Sequence, residues 1–135
     1  MRKDNFWLKK LTKKIWQRYF SDTPMKNDVR VTFGKRARRQ LGSISYRGDH
    51  TLITINGLFK ENDIPIFLIE ATVAHELIHY ATGFQSPLKR RYRHPHQGGV
   101  IKKEMVERDL EGLFRHQKKW FKENWPAVLK KHFKR

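Results

Sequence analysis

The chain has 135 residues, enough for one domain with a modest core, and carries 30 Lys and Arg against 13 Asp and Glu, a formal charge of +17. It has no cysteine, which excludes disulfides, cysteine-based zinc ribbons and thiol catalysis and fits a reducing cytoplasm. The charge exceeds what solubility asks of a small domain and points to a polyanionic partner: nucleic acid first, an anionic membrane surface or an acidic protein second.

The opening "MRKDNFWLKK" lacks an apolar run of signal-peptide length, and no stretch is long and apolar enough to span a bilayer, so the expected location is the cytoplasm. Residues 3 to 20 read as an amphipathic helix, with Leu8, Leu11, Ile15 and Tyr19 on one stripe and lysines opposite. Strands are expected at 29–33, 41–46 and 51–55, the last two joined by a hairpin turn at "RGDH". A helix follows within "NDIPIFLIEATVAHELIHYATG". Asn62 or Asp63 is its expected N-cap, Pro65 falls in its first turn, and Gly83 stops it. Residues 84–99 form a loop with two prolines and two glycines. Residues 100–115 are predicted as a helix with Ile101, Met105 and Leu113 inward. A basic, aromatic helical end runs from about 117 to 133, with a break near Pro126. The order gives an α+β layout in a single domain over 1–135.

The most informative stretch is His75-Glu76-x-x-His79, within "VAHELIHYATG". On a helix, His75 and His79 lie about 40° apart and Glu76 about 60° beyond His79, so all three share one arc. The surrounding helix is dense in apolar residues and is expected to be mostly buried, where two imidazoles and a carboxylate need a partner. Two imidazoles at i and i+4 suit one tetrahedral zinc ion, and Glu76 suits a base acting on a water that zinc acidifies. The bland alternative is a pair of hydrogen-bonded core histidines beside a surface glutamate.

A third protein ligand has several candidates. The short-spaced metzincin pattern fails, because Thr82 and Gln85 stand where Gly and His are required. Glu104 or Glu107 on the following helix, or His94 or His96 in "HPHQGG", remain. "LGSISY", "TLITING", "IPIFLIEATVAHELIHY" and "HPHQGGVIKKE", taken together, resemble the SprT-like (Spartan-type) zinc metalloprotease domain over about residues 5 to 125. The resemblance implies a zincin-like α+β domain: an N-terminal helix, a small three-stranded sheet, the zinc-binding helix and C-terminal helices. It implies one Zn²⁺ per chain held by His75, His79 and His96, with Glu76 as catalytic base. It also implies proteolysis of DNA-bound or DNA-crosslinked proteins with DNA as activator.

Expected partners are therefore DNA, single-stranded or damaged, and a protein substrate, with no membrane and a monomeric chain. Candidate phosphate contacts are Lys35, Arg36, Arg38 and Arg39 in "KRARR", and Lys89, Arg90, Arg91 and Arg93 in "KRRYR"; "KKHFKR" adds charge at the end. Tyr80, Tyr92 and His94 are candidate oxyanion helpers, and the 51–55 strand is a candidate to pair with an extended substrate. Two competing readings are a metal-dependent nuclease and a nucleic-acid-binding module whose zinc is structural. The first would ordinarily use a carboxylate-rich two-metal site; the second has no use for Glu76.

Overall fold

The computed structural model describes residues 2–133; Met1, Lys134 and Arg135, the last two belonging to the basic "KKHFKR" end, lie outside the described residues. Helix α1 covers Asn5–Tyr19 and is capped by Asp4, whose carboxylate accepts the Trp7 N–H at 2.9 Å. Its inward face is Leu8, Thr12, Ile15 and Trp16, with Leu11 and Tyr19 half-buried at the margin. The buried face thus sits beside the expected stripe. Thr12 is tolerated inside because its hydroxyl donates to the Leu8 carbonyl, and Trp16 because its indole N–H donates to Thr23 O while its ring meets Tyr80 edge-on.

Three strands follow: β1 (Asp28–Phe33), β2 (Gly42–Tyr46) and β3 (His50–Ile55). The sheet order is β1-β3-β2, with β1 and β3 parallel and β2 and β3 antiparallel. The β2–β3 hairpin closes at the expected turn, where Arg47 N–H donates to His50 O and Gly48 takes φ +88°. In β3, Thr51, Ile53 and Ile55 face the core.

Helix α2 (Ile66–Ala81) is the central element and packs against α1, the sheet, α3 and α4. It starts after Pro65 and has no side-chain cap, so neither Asn62 nor Asp63 serves as N-cap. Asp63 is engaged elsewhere, by His132 at 3.1 Å and Lys131 at 3.6 Å from the far end of the chain, and Lys3 donates to the carbonyls of Glu61 and Ile64. At the other end Gly83, at φ +84°, forms a Schellman turn: its N–H donates to Tyr80 O and that of Phe84 to His79 O.

The expected 100–115 helix is two elements, α3 (Val100–Glu107) and the start of α4 (Glu111–His132). A second Schellman turn separates them. Asp109 takes φ +61°, its N–H donates to Val106 O, and that of Leu110 donates to Met105 O. No break occurs at Pro126, which lies inside α4. Pro126 and Lys122, whose carbonyl it leaves unpaired, are on the exposed side, while Trp125 and Val128 are buried and hold the helix down.

Candidate metal centre

Helix α2 places His75, Glu76 and His79 on one face. His79 and Glu76 are buried, and His75 is half-buried. The Nε2 atoms of His75 and His79 are 3.2 Å apart. Two donors on one tetrahedral zinc at about 2.0–2.1 Å would be about 3.3–3.4 Å apart, so this pair is spaced as two ligands of one ion are, a distance at which one neutral ring can also donate to the other.

The third imidazole arrives by a longer route. After Gly83 the chain folds back on the end of α2: Arg91 N–H donates to Thr82 O at 3.0 Å and Ser86 Oγ to Tyr80 O at 2.8 Å. A Cβ at Gly83 would lie 2.5 Å from Arg90 Cα, so both its φ and this close approach require glycine. Further on, His94 and Gln97 bond each other, Gly98 and Gly99 take positive φ, and α3 begins. His96 sits on this turn, exposed, with its ring 4.9 Å from that of His79 and 5.7 Å from that of His75.

The donor atoms of His75, His79 and His96 all lie within 4.8 Å of one another and can hold a metal ion. A tetrahedral ion asks the widest separation to contract by roughly an ångström and a half, and the exposed His96 is the member free of core packing. The other candidates are elsewhere. His94 and Glu107 are exposed and outside the cluster. Glu104 is buried in an ion pair with Arg108 at 3.2 Å and meets Arg91 at 3.4 Å.

Burial sets the protonation of the site. It lowers His75 to about 4 and His79 to about 3, with the neighbouring imidazoles adding to the effect, so both offer neutral lone pairs at pH 7. It pushes Glu76 up to about 7, the range of a working general base. His79 Nδ1 is buried without a hydrogen-bond partner among the described residues, so packing, with Phe84 5.3 Å away, orients this ring in place of the usual second acceptor.

Glu76 opens onto a cavity of about 190 Å³ lined by Leu41, Gly42, Thr72, His75, Glu76 and Gln117. Thr72 was not singled out in the sequence, although its place one helical turn before Glu76 could have found it. Gln117 was not, because nothing local in "FRHQKKW" marks one residue of α4 as turned toward α2.

Two expectations change. Strand β3 has no open edge, since β1 and β2 flank it; the edge beside Glu76 is β2. Backbone bonds at Arg47–His50 and Leu41–Asn56 fix the alternation, so Gly42, Ile44 and Tyr46 turn their N–H and C=O groups outward. Gln85, at φ +55°, accepts the Tyr46 N–H at 2.8 Å and closes one end of this edge, leaving Gly42 and Ile44 open. Tyr80 is not available as an oxyanion helper: it is fully buried, donates to Asn27 Oδ1 and accepts from Lys26 N–H. Tyr92 packs at the margin of the core.

The basic residues are not equivalent. Arg36 meets Glu61 and His132, and Arg38 stacks on Phe133 at 4.5 Å, in a loop braced by the Asn56 carboxamide. Arg90 bonds the carbonyls of Tyr92 and Arg93, and Arg91 reaches Glu104 and Ala81 O. Lys35, Arg39, Lys89 and Arg93 are exposed and have no ion pair among the described residues. No helix among the described residues is long and apolar enough to cross a membrane.

No curated protein and no solved structure matches the chain. The model of the SprT-like family matches residues 8–107. That span holds all three histidines and Glu76 and stops short of α4, so on the greater part of its length the chain belongs to the SprT-like family.

Proposed function

We propose that the protein is a zinc metalloendopeptidase with a zincin-like centre that cleaves proteins bound or crosslinked to DNA. The observation that carries this reading is Glu76, a buried carboxylate beside three convergent imidazoles and facing a cavity. His75, His79 and His96 would hold the ion. Bound there, zinc acidifies a water molecule and polarises a carbonyl oxygen. Glu76 takes the proton from the water and returns it to the departing amine. The outward N–H and C=O groups of Gly42 and Ile44 pair with an extended substrate and fix its register. The +17 charge and the exposed Lys35, Arg39, Lys89 and Arg93 support the nucleic-acid half. The cluster beside Glu76 contains imidazoles and no second carboxylate among the described residues, which favours peptide over phosphodiester hydrolysis.

The test incubates zinc-loaded protein with a DNA-binding protein, with and without single-stranded DNA, and follows both protein and nucleic acid. Wild type should cut the protein, faster with DNA. Glu76→Gln should keep zinc and fold and lose about 10²–10⁴-fold in rate. Equal cleavage by the mutant, or cleavage of the nucleic acid alone, overturns the reading.

A further inference from the structure

The cavity beside Glu76 holds more than the hydrolytic step uses. Leu41 just precedes β2 and Gly42 begins it, Thr72 and His75 come from α2, and Gln117 from α4, beyond the residues that the family model covers. Gly42 keeps the space open: a Cβ there would lie 2.9 Å from Thr72 Cγ2 and 3.2 Å from Glu76 Oε2.

Hydrogen bonding fixes the orientation of the Gln117 carboxamide. The Thr72 hydroxyl donates its single proton to Leu68 O at 2.8 Å, so toward Gln117 it can only accept. Gln117 Nε2 is therefore the atom 3.1 Å from Thr72 Oγ1. Gln117 Oε1 and the second Nε2 proton have no partner among the described residues. One acceptor and one donor on a planar group, at the wall of a cavity, complement another amide.

We propose that this cavity is the subsite for a substrate side chain next to the scissile bond, and that Gln117 makes it select an uncharged hydrogen-bonding side chain, an amide above all. The proposal rests on the peptidase reading of Glu76. An acidic side chain would meet the Glu76 carboxylate. A basic one would pair with it and disable the base. An apolar one would displace water from Gln117 and leave its amide groups unpaired. Asparagine or glutamine satisfies both free groups, while Leu41 covers its methylene stem.

The test sequences the cleavage products of a mixed peptide library cut by zinc-loaded protein. Asn and Gln should be enriched at one position beside the cut. In Gln117→Leu, of similar size, that position should shift to Leu and Met, with kcat/KM for the matched Asn peptide down about 3–10-fold. A flat wild-type profile, or the same profile in both proteins, overturns the proposal. A second measurement needs no cleavage: ¹H–¹⁵N spectra of Glu76→Gln protein titrated with N-acetyl-asparagine N′-methylamide or its leucine counterpart. The Gln117 side-chain amide should move with the asparagine compound and not with leucine; no movement with asparagine overturns the subsite. If wild type cuts no peptide yet the asparagine compound moves Gln117, the subsite stands and the peptidase reading falls.

Discussion

His79 and His96 serve one cluster from opposite physical settings. His79 and its neighbour His75 project from the most buried helix of the molecule, with their Nε2 atoms already 3.2 Å apart. His96 is exposed, on a turn containing two positive-φ glycines, and reaches the cluster only because the preceding loop is pinned to the end of α2. The difference teaches that helical spacing sets two donors, while the third depends on a chain of loop contacts, each of which can be cut separately.

The largest expected effect follows. His79→Ala should abolish stoichiometric zinc, weakening binding by about 10²-fold or more, and zinc should no longer raise its thermal midpoint. His96→Ala should retain a weaker site on the α2 pair, measurable by competition with a chelator. Equal losses in the two variants would erase the distinction between the settings.

Gly83→Ala attacks the pin. Strain at φ +84° and a Cβ 2.5 Å from Arg90 Cα and Lys89 O together should cost about 1–3 kcal/mol and loosen zinc through His96. Gly48→Ala is the control, since at φ +88° its Cβ would meet nothing within 4 Å. If both variants bind zinc like wild type, the Gly83 turn does not position His96.

The same division explains what could be read from the chain. His75, Glu76 and His79 were legible because one helix period fixes their geometry and the apolar flanks declare burial. His96 needed the family pattern of its segment, because no periodicity governs a loop. The end of α3 was missed because Asp109, rather than a glycine, occupies the left-handed position. The open strand edge was assigned to β3 because its pairing with β1 is parallel and nonlocal, and no turn residue announces it. Pro126 was expected to break its helix, but the carbonyl it frees lies on the exposed side, where water can take it, and the buried Trp125 and Val128 hold that turn of α4 in place. Gln117 is a matter of how α4 rotates on α2, a tertiary fact with no local sign.

Acid should sharpen the comparison. Burial holds His75 at about 4 and His79 at about 3, below their ordinary 6.5. Between pH 6.5 and about 4 the unfolded chain therefore binds protons that the folded one refuses, and the metal-free protein loses stability as pH falls through this window. Glu76 acts in the opposite sense: its pKa is raised from 4.5 to about 7, so its contribution is lost as pH rises through 7. Two histidines outweigh one carboxylate, so the metal-free thermal midpoint should fall on acidification below 6.5. Protons compete for the α2 pair only near pH 4, so zinc should be retained well below 6.5. Release of zinc with a midpoint at or above 6.5 would show that burial does not protect the pair.

The smallest effect separates two arginines of the same loop. Arg91 lies 3.4 Å from both Glu104 and Ala81 O, and Glu104 is held in turn by the buried Arg108. Arg93 is exposed, and its side chain has no partner among the described residues. Arg91 therefore anchors the loop, whereas Arg93 has its charge available for a phosphate. Arg93→Ala should leave fold and zinc unchanged and reduce the slope of log K against log[salt] for oligonucleotide binding by about 0.7–0.9, one phosphate contact. Arg91→Ala should leave that slope nearly unchanged, lower the thermal midpoint and weaken zinc, because Glu104 loses one of its two cationic partners and the loop keeps its backbone bond to Thr82 O but loses the side-chain bond to Ala81 O. Fluorescence titrations at three salt concentrations, with thermal melts beside them, read both quantities. Equal slope changes in the two variants would mean that the loop acts as a diffuse positive field and that its contacts do not sort its charges.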